Sequence, residues 1–290
     1  MQEKIIGIIG GTGLGDALTK QIKDAKRRKV TTPFGEPSSD IIVGRFGHRT
    51  VAFINRHGAG HRLSPSQIPF AANIFALKKL GVHTMISSGA VGSLRARIKP
   101  GELVVVDQFI DKTYRKQRSF FDGFGAVHCE MTKPVCDRLH GKIIEEAKKI
   151  RIKVHSKGVY ICMEGPQFST RAESQMHRLW GGDCIGMTAM PEAKLAREAQ
   201  ICYAMIALVS DYDCWRPHSN KNKQTLLQEI VANLQKATEN CLRLIEAVLH
   251  SKSELADEDC SCRKSLQLAV WTAKKQISRG RKKVLSPLFE

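Results

Sequence analysis

The sequence lacks any apolar run that approaches the roughly 18 residues of a membrane-spanning helix. Its first residues, MQEKIIGIIGG, also lack the long apolar segment and the small-residue cleavage site of a secretory leader. These features argue against a membrane or secreted protein, so we expect a cytoplasmic one with no membrane partner. With 290 residues, 42% of them hydrophobic, the chain can bury a full core in one domain.

Acidic and aromatic residues are both sparse. There are 28 aspartates and glutamates against 46 lysines and arginines, and only 6% of the residues are aromatic. The formal charge of +18 permits attraction to phosphates of any kind, from inorganic phosphate to nucleic acid. However, the basic blocks at residues 23–29 and 263–283 are not interleaved with the stacking aromatics of a single-strand binder. We interpret both blocks as solvated faces, with nucleic-acid binding as the alternative.

The nine cysteines show no standard zinc-site spacing. A chain of this size does not need disulfides to fold, so most of the cysteines are expected to be buried, reduced thiols. Cys129 and Cys136 bracket one short segment, and Cys260 and Cys262 form a C-x-C pair near the end of the chain. This pair favours a structural or redox disulfide over a metal site.

A glycine-rich loop follows the apolar run at residues 5–9. Four glycines between residues 10 and 15 surround Thr12, but the loop has neither G-x-G-x-x-G nor the Gly-Lys-Ser/Thr of a Walker loop. Glycine still lets backbone N–H groups approach an anion closely, and the Thr12 hydroxyl can donate one more hydrogen bond. Two interpretations remain open, an anion-binding loop and a tight turn after the first strand.

Short apolar runs alternate with helix-like stretches along most of the chain. The runs predicted as buried strands cover residues 5–9, 40–43, 50–54, 83–87, 103–110, 158–163 and 203–210. The predicted helices cover residues 66–80, 133–150, 170–180, 191–199 and 221–249, and a last one covers residues 263–275. This alternation predicts an α/β fold with a central sheet covered on both faces.

Polar residues follow four of the apolar runs, at the ends of strands where an α/β sheet binds its ligands. Arg56 offers a planar donor fork that suits phosphate oxygens, and His57 can add another donor. The small Ser88, Gly89 and Ala90 let backbone amides approach the same ion. The other two segments are residues 164–169 and the acidic residues 210–213. Together they predict an anion site beside an acidic site, although each alone is equally explained by a turn, a helix cap or a surface pair.

Six blocks of sequence then follow one another in a recognisable order. They are GIIGGTGL at 7–14, RHG at 56–58 with PSQIPFAANIFALK at 65–78, GAVGSL at 89–94, EGPQFSTRAES at 164–174, GMTAMPEAKLAREA at 186–199 and DYDCW at 211–215. Together they resemble the 5′-methylthioadenosine phosphorylases of the trimeric purine nucleoside phosphorylase family, over residues 5–241. The resemblance implies a single α/β domain with a twisted, mixed central β-sheet flanked by helices.

The resemblance also implies an activity and a set of site residues. The reaction would be phosphorolysis of 5′-methylthioadenosine to adenine and 5-methylthioribose 1-phosphate, with phosphate as co-substrate and no metal or organic cofactor. The assembly would be a trimer or a dimer of trimers, in which His128 reaches the 5′ pocket of the neighbouring subunit. The implied phosphate ligands are Thr12, Arg56, His57, Ala90 and Thr188; Met187 packs on the ribose, Phe168 and Ser169 line the purine pocket, and Asp211 and Asp213 hold the adenine.

The chemistry of phosphorolysis suits this set of residues. Cleavage of an N-glycosidic bond develops positive charge on the sugar and negative charge on the departing base. Bound phosphate is both nucleophile and counter-charge, while a protonated Asp211 can donate to N7 of adenine, provided that burial raises its pKa. Asp213 can accept from the 6-amino group, so the two acids favour adenine nucleosides over 6-oxopurine nucleosides. A phosphorylase of broader purine specificity is the alternative.

Three parts of the chain depart from the family pattern or lie beyond the matched region. Ser88-Gly89-Ala90 stands where the animal enzymes have threonine-threonine-alanine, which removes one hydroxyl from the phosphate site. Leu226 or Leu227 can line an apolar 5′ pocket, but core packing explains them equally well. We assign residues 1–250 to the phosphorylase domain and residues 251–290 to an acidic linker with a basic C-terminal helix or tail. The C-x-C pair resembles cysteines that form disulfides in thermostable archaeal relatives.

Overall fold

The computed structural model describes residues 4–11, 14–216, 222–255 and 257–289. In this part of the chain eleven strands form one mixed sheet, and helices pack on both of its faces. The strands are β1 Ile5–Gly10, β2 Lys23–Arg28, β3 Ile41–Phe46, β4 Arg49–Asn55, β5 Val82–Ser93, β6 Leu103–Val106, β7 Gln108–Lys112, β8 Val154–His155, β9 Val159–Met163, β10 Cys184–Gly186 and β11 Cys202–Tyr212. The predicted α/β fold with a mixed central sheet is confirmed.

Seven α-helices flank this sheet within the described residues. They are α1 Leu14–Thr19, α2 Phe70–Lys79, α3 Asp137–Lys149, α4 Arg171–Leu179, α5 Glu192–Glu198, α6 Lys223–His250 and α7 Arg279–Val284. Alternate residues of the central strands enter different cores, as Ile8 and Ile9 do in β1. Both faces are therefore buried, which explains why these strands are nearly continuous apolar runs. No helix in these residues is long and apolar enough to cross a membrane.

Four central strands run parallel and end at the same edge of the sheet. β1 lies between β4 and β5, and β5 pairs on its other side with β11. In this register Gly10 lies opposite Asn55, and Asp211 lies opposite Gly92. The polar residues that follow these strands are therefore brought to one edge, as the sequence predicts.

The segment at residues 88–94 differs from its prediction. We expected a loop after a strand ending at residue 87, but β5 continues to Ser93. Ser88 pairs with Ile206 and Gly92 pairs with Asp211, so the ladder to β11 holds these small residues in the sheet. The small residues there do not form a turn. They leave room for neighbouring groups to approach the strand closely.

The helix predicted over residues 263–275 is wrong. The chain there forms two short 3₁₀ turns, Ser261–Lys264 and Lys274–Gln276, before α7. Leu266 and Ala269 are buried in the main core, and Val270 pairs with Val127 in an isolated bridge. These contacts with the body of the protein override the helical spacing of the apolar residues, because propensity is weaker than tertiary packing.

Candidate active site

The side chain of Arg56, the residue after β4, is completely buried at 0% exposure. Its Nε donates to Glu192 at 2.8 Å and its Nη2 donates to the same carboxylate at 3.1 Å. Nη2 also donates to Ser87 Oγ at 2.6 Å, and Nη1 donates to the carbonyl of Ser88 at 2.7 Å. These bonds use four of the five guanidinium N–H groups, so the donor fork predicted for phosphate holds a buried glutamate instead.

Glu192 is the residue that orients this arginine. Its carboxylate accepts further hydrogen bonds from the Ser87 hydroxyl at 2.5 Å and from the Tyr203 hydroxyl at 3.0 Å. Burial lowers the pKa of Arg56, but the charge of Glu192 outweighs this effect and the net pKa is raised. The pair is therefore a fixed ionic unit, from which one N–H of Arg56 remains for a ligand.

That remaining N–H lies beside a group of small residues. A Cβ on Gly11 would lie 3.0 Å from Arg56 Nη1 and 2.9 Å from the Ser88 carbonyl. A Cβ on Gly89 would lie 3.8 Å from the same Nη1 and 3.3 Å from the hydroxyl of Thr188. Arg56, Thr188, Ser88 and Gly89 are thus brought together with the start of the glycine-rich loop, as predicted, while Thr12 itself lies outside the described residues.

Two more predicted phosphate ligands border this group. Ala90 is the next residue of β5 and is half-buried. His57 is buried and bonds through Nδ1 to the carbonyl of Leu63 at 2.9 Å, so this nitrogen must carry the hydrogen. Burial lowers the pKa of His57 to about 4, which makes the ring neutral at pH 7. In this neutral state Nε2 accepts a hydrogen bond, and the role of His57 as a phosphate ligand stays a prediction.

Asp211 and Asp213, the two acids predicted to hold the base, lie at the same edge of the sheet as the Arg56 group. A Cβ on Gly92 would lie 3.2 Å from an Asp211 carboxylate oxygen and 3.3 Å from Cβ of Asp213, so both acids lie over this glycine. Ser210 donates to Asp211 at 2.6 Å. Asp213 is only 9% exposed, and its Oδ2 has no hydrogen-bond partner in the described structure. A buried acceptor without a donor is costly unless a ligand supplies the donor.

The loop after β9 lies next to these acids. The Cys214 thiol donates to the carbonyl of Ser169 at 3.2 Å, which ties this loop to the residue after Asp213. The neighbouring Phe168 is 87% exposed, so its ring packs on little else within the chain. Arg115, which the sequence analysis missed, donates to the carbonyls of Glu164 and Met187 at 3.0 and 2.8 Å. It therefore joins the purine loop to the residue assigned to the ribose.

Three other predicted residues lie farther along the surface. His128 is exposed and packs edge-on against Trp271 of the C-terminal segment, with 5.4 Å between ring centroids. Leu226 is half-buried and Leu227 is 61% exposed, and the fully buried residues of α6 begin only at Ala237. Core packing therefore does not explain these two leucines.

The residues that the sequence analysis missed share one property. Each of them holds another residue of the site in place by hydrogen bonds. They are Glu192, Ser87, Tyr203 and Arg115. Only Glu192 had a detectable signal, since it is an acid within the block GMTAMPEAKLAREA. The other three lie in segments that look like ordinary strand or loop.

Comparisons with known proteins agree with this architecture. A family model described as the phosphorylase superfamily matches residues 5–250. The S-methyl-5′-thioadenosine phosphorylase of Gloeobacter violaceus is 41% identical over 98% of this chain and 94% of its own length. The S-methyl-5′-thioadenosine phosphorylase of Saccharolobus solfataricus is 46% identical over 91% of this chain and 96% of its own length.

Solved structures give the same result. A methylthioadenosine phosphorylase from an antarctic soil metagenomic library matches with a TM-score of 0.90 and 40% identity, covering 100% of both chains. A double mutant of the adenosine/methylthioadenosine phosphorylase of Schistosoma mansoni, in complex with adenine, matches with a TM-score of 0.77 and 34% identity, covering 85% of this chain and 91% of that one. The chain belongs to the phosphorylase superfamily and, within it, to the S-methyl-5′-thioadenosine phosphorylase family.

Proposed function

We propose that this protein cleaves 5′-methylthioadenosine with inorganic phosphate, releasing adenine and 5-methylthioribose 1-phosphate. The observation that carries the proposal is the placement of two opposite kinds of group along β5. The Arg56 and Thr188 cluster lies at Gly89, and the two acids lie over Gly92. Three residues of strand span about 10 Å, so an anion and a purine held at these two places can belong to one reacting pair.

The cluster of Arg56 and Thr188 at Gly89 would bind phosphate and hold it against the sugar. The last N–H of Arg56, the Thr188 hydroxyl and the main chain near Gly11 and Gly89 supply donors, and Arg56 is kept in place by Glu192. A neutral His57 would accept the hydrogen of a singly protonated phosphate. Fixed donors lower the entropy cost of bringing nucleophile and sugar together and stabilise charge in the transition state.

The two acids over Gly92, Asp211 and Asp213, would bind and protonate the base. Asp213 Oδ2 is a buried acceptor that the 6-amino group of adenine can satisfy. Asp211 would donate to N7 when protonated, which neutralises the departing base. Ser169 and Phe168 would close over the purine, Met187 would pack on the ribose, and Leu226 or Leu227 would line the 5′ pocket. We infer that no metal or organic cofactor takes part in this reaction.

The decisive test is a product assay for free adenine. With 5′-methylthioadenosine as substrate, adenine should form at least about a hundredfold faster with phosphate than without it, because phosphate is the nucleophile. Equal release with and without phosphate would overturn the proposal in favour of hydrolysis. Asp211→Asn should lower the turnover by two or more orders of magnitude, since general acid catalysis contributes about 10²–10⁴.

A second candidate is a wider adenine-nucleoside specificity. The Schistosoma mansoni relative is named an adenosine/methylthioadenosine phosphorylase, and Leu227, proposed for the 5′ pocket, is exposed in this chain. Comparing turnover of 5′-methylthioadenosine, adenosine and inosine distinguishes the candidates. Turnover of adenosine without turnover of inosine would support selection of the 6-amino group by the two acids. Faster turnover of inosine than of adenosine would contradict that selection.

We further infer a cytoplasmic trimer. His128 lies exposed beside the C-terminal segment and is not bonded to the acids within the described chain. A role in the 5′ pocket would therefore come from a neighbouring subunit. Size measurements in solution test the trimer, and a monomer with full activity would contradict it.

A further inference from the structure

Four cysteines converge far from the candidate active site. The Sγ atoms of Cys136, Cys202, Cys260 and Cys262 all lie within 4.8 Å of one another. The Sγ atoms of Cys136 and Cys260 are 3.7 Å apart. Cys260 is half-buried and the other three thiols are buried. Cys202 begins β11, whereas Asp211 lies nine residues later, which is about 30 Å along the strand.

The fold brings these thiols together from three parts of the chain. Cys136 is the residue before α3, and its backbone N–H donates to the carbonyl of Tyr203 at 2.8 Å, which places it beside Cys202. The turn Ser261–Lys264 brings the C-x-C pair from the C-terminal segment. Spacing along the sequence could not reveal the site, because only two of the four thiols are close in the chain.

The arrangement matches the geometry of a tetrahedral tetrathiolate centre. With Zn–S distances near 2.3 Å, the sulfurs of such a centre lie about 3.8 Å apart, and every sulfur is near the other three. Disulfides instead bring sulfurs together in pairs at about 2.05 Å. We propose that the four cysteines bind one Zn²⁺ ion, which fastens the C-terminal segment at residues 257–289 to α3 and β11.

The charge around the cluster supports an anionic centre. Zinc with four thiolates carries a net charge of about −2, which needs nearby cations in a buried place. Arg138 and Arg197 lie beside the cluster, and the Nε atoms of both are buried with no hydrogen-bond partner in the described structure; Arg138 Nε also lies 3.7 Å from a carboxylate oxygen of Asp257.

A route for the ion also exists. A cavity of about 260 Å³ opens beside Cys260 and Cys262 and is lined by Arg138, Arg197 and Asp257. Binding Zn²⁺ displaces the thiol protons to solvent and needs no oxidant. Closing two disulfides at the same place would require an oxidant to take up two electrons for each bond. The two outcomes therefore differ in both metal content and thiol count.

The test uses the full chain, purified with Zn²⁺ in the growth medium. We expect about one zinc ion per chain by mass spectrometry. Unfolding in guanidinium with a chelator, without oxygen, should then expose all nine thiols of the sequence. Two disulfides would leave 9 − 4 = 5 thiols and overturn the proposal. Zinc well below one ion per chain, or iron in its place, would overturn it as well.

A pair of matched variants locates the ion. Cys262→Ala should reduce zinc content at least about tenfold, because it removes one ligand. Cys241→Ala removes an equally buried thiol of α6 outside the cluster and should leave zinc content unchanged. Equal loss in both variants, or no loss in either, would contradict the site.

A measurement on the unmodified chain covers the case in which Cys262→Ala does not fold. Co²⁺ added to the chelator-treated protein should give the intense visible bands of tetrahedral cobalt with thiolate ligands, and Zn²⁺ should abolish them. Absence of these bands in a fully reduced protein would overturn the proposal. Loss of zinc should also lower Tm, since metal binding that requires the folded state stabilises it.

Discussion

At the scale of single residues, the candidate site depends on side chains that are held before they bind anything. The prediction from the sequence correctly located Arg56 at the end of a strand, but it assigned all the guanidinium donors of Arg56 to phosphate. The structure gives most of that fork to Glu192 and Ser87. A sequence shows which residue has suitable donors, but not which donors the fold has already used. Asp213 shows the opposite case, because its free acceptor is visible only once burial is known.

The ion pair of Arg56 and Glu192 leads to a stability prediction. Glu192→Gln keeps an oxygen for Tyr203 and Ser87 but leaves a completely buried guanidinium without its counter-charge. We expect the free energy of unfolding to fall by about 3–5 kcal/mol, as for other broken buried pairs. Urea unfolding measures this change.

The control for Glu192→Gln is an exposed carboxylate. Glu145→Gln removes a charge that pairs with Lys142 and Lys149 on the surface of α3. The unfolding midpoint of this control should match that of the parent protein, because solvent screens such pairs. If both variants unfold at the same urea concentration, the Arg56 pair is not a fixed ionic unit.

At the scale of elements, alternating apolar and helix-like segments were enough to predict the central strands and most helices, but not β2, whose residues are all exposed, nor the short β8 and β10. The prediction stopped β5 too early because Gly89 and Gly92 look like turn residues, whereas they are small so that neighbouring groups can approach. It also turned residues 263–275 into a helix, because Leu266 and Ala269 have helical spacing but pack on the core from short turns. Both errors arise from contacts between distant parts of the chain, which local patterns do not contain.

Gly92 gives a test of how β5 positions the acids. In Gly92→Ala the new methyl would meet a carboxylate oxygen of Asp211 at 3.2 Å and Cβ of Asp213 at 3.3 Å, so both acids must shift. We expect adenine release to fall by about tenfold, because the acids must move by a few tenths of an ångström and a full 1 Å misplacement costs about a hundredfold. Steady-state assays of adenine formation measure it.

Gly141→Ala serves as the matched substitution. Gly141 lies in the exposed face of α3, and a Cβ there would meet nothing within 4 Å. Turnover should be unchanged and stability should rise by about 0.5–1 kcal/mol, because alanine suits a helix interior better than glycine. Normal turnover in Gly92→Ala would show that the acids do not depend on this strand.

The end of α5 gives a pH-dependent contribution to stability. Burial raises the pKa of Glu198 from 4.5 to about 7. Between these values the folded chain keeps a proton that the unfolded chain has released, so the stabilisation is complete below about pH 4.5 and decreases as pH rises towards 7. The full change is about 3 kcal/mol.

Glu198→Gln isolates this contribution, since glutamine can still accept from the backbone N–H of Phe120. The difference in unfolding free energy between parent and variant should shift by most of about 3 kcal/mol from pH 5 to pH 7, in favour of the variant at the higher pH. Urea titrations at several pH values measure this. Parallel pH curves for the two proteins would refute the raised pKa.

At the scale of the whole molecule, one chain brings the anion group and the acids together but leaves His128 apart. The His128 backbone N–H donates to the carbonyl of Ala269, and its ring packs against Trp271, so the C-terminal segment holds it in place. If this histidine completes the 5′ pocket of a neighbouring subunit, each site combines Asp211 of one chain with His128 of the next. Two variants that are inactive alone then carry complementary defects.

We therefore expect His128→Ala and Asp211→Asn chains to restore activity when they are mixed and allowed to exchange. In a trimer assembled at random from equal amounts, a site is intact when its own chain has Asp211 and its neighbour has His128, which holds for about a quarter of the sites. Adenine release after reversible dissociation measures this fraction. Each variant mixed with the double variant should remain inactive, and no recovery in the complementary mixture would mean that every chain forms its site alone.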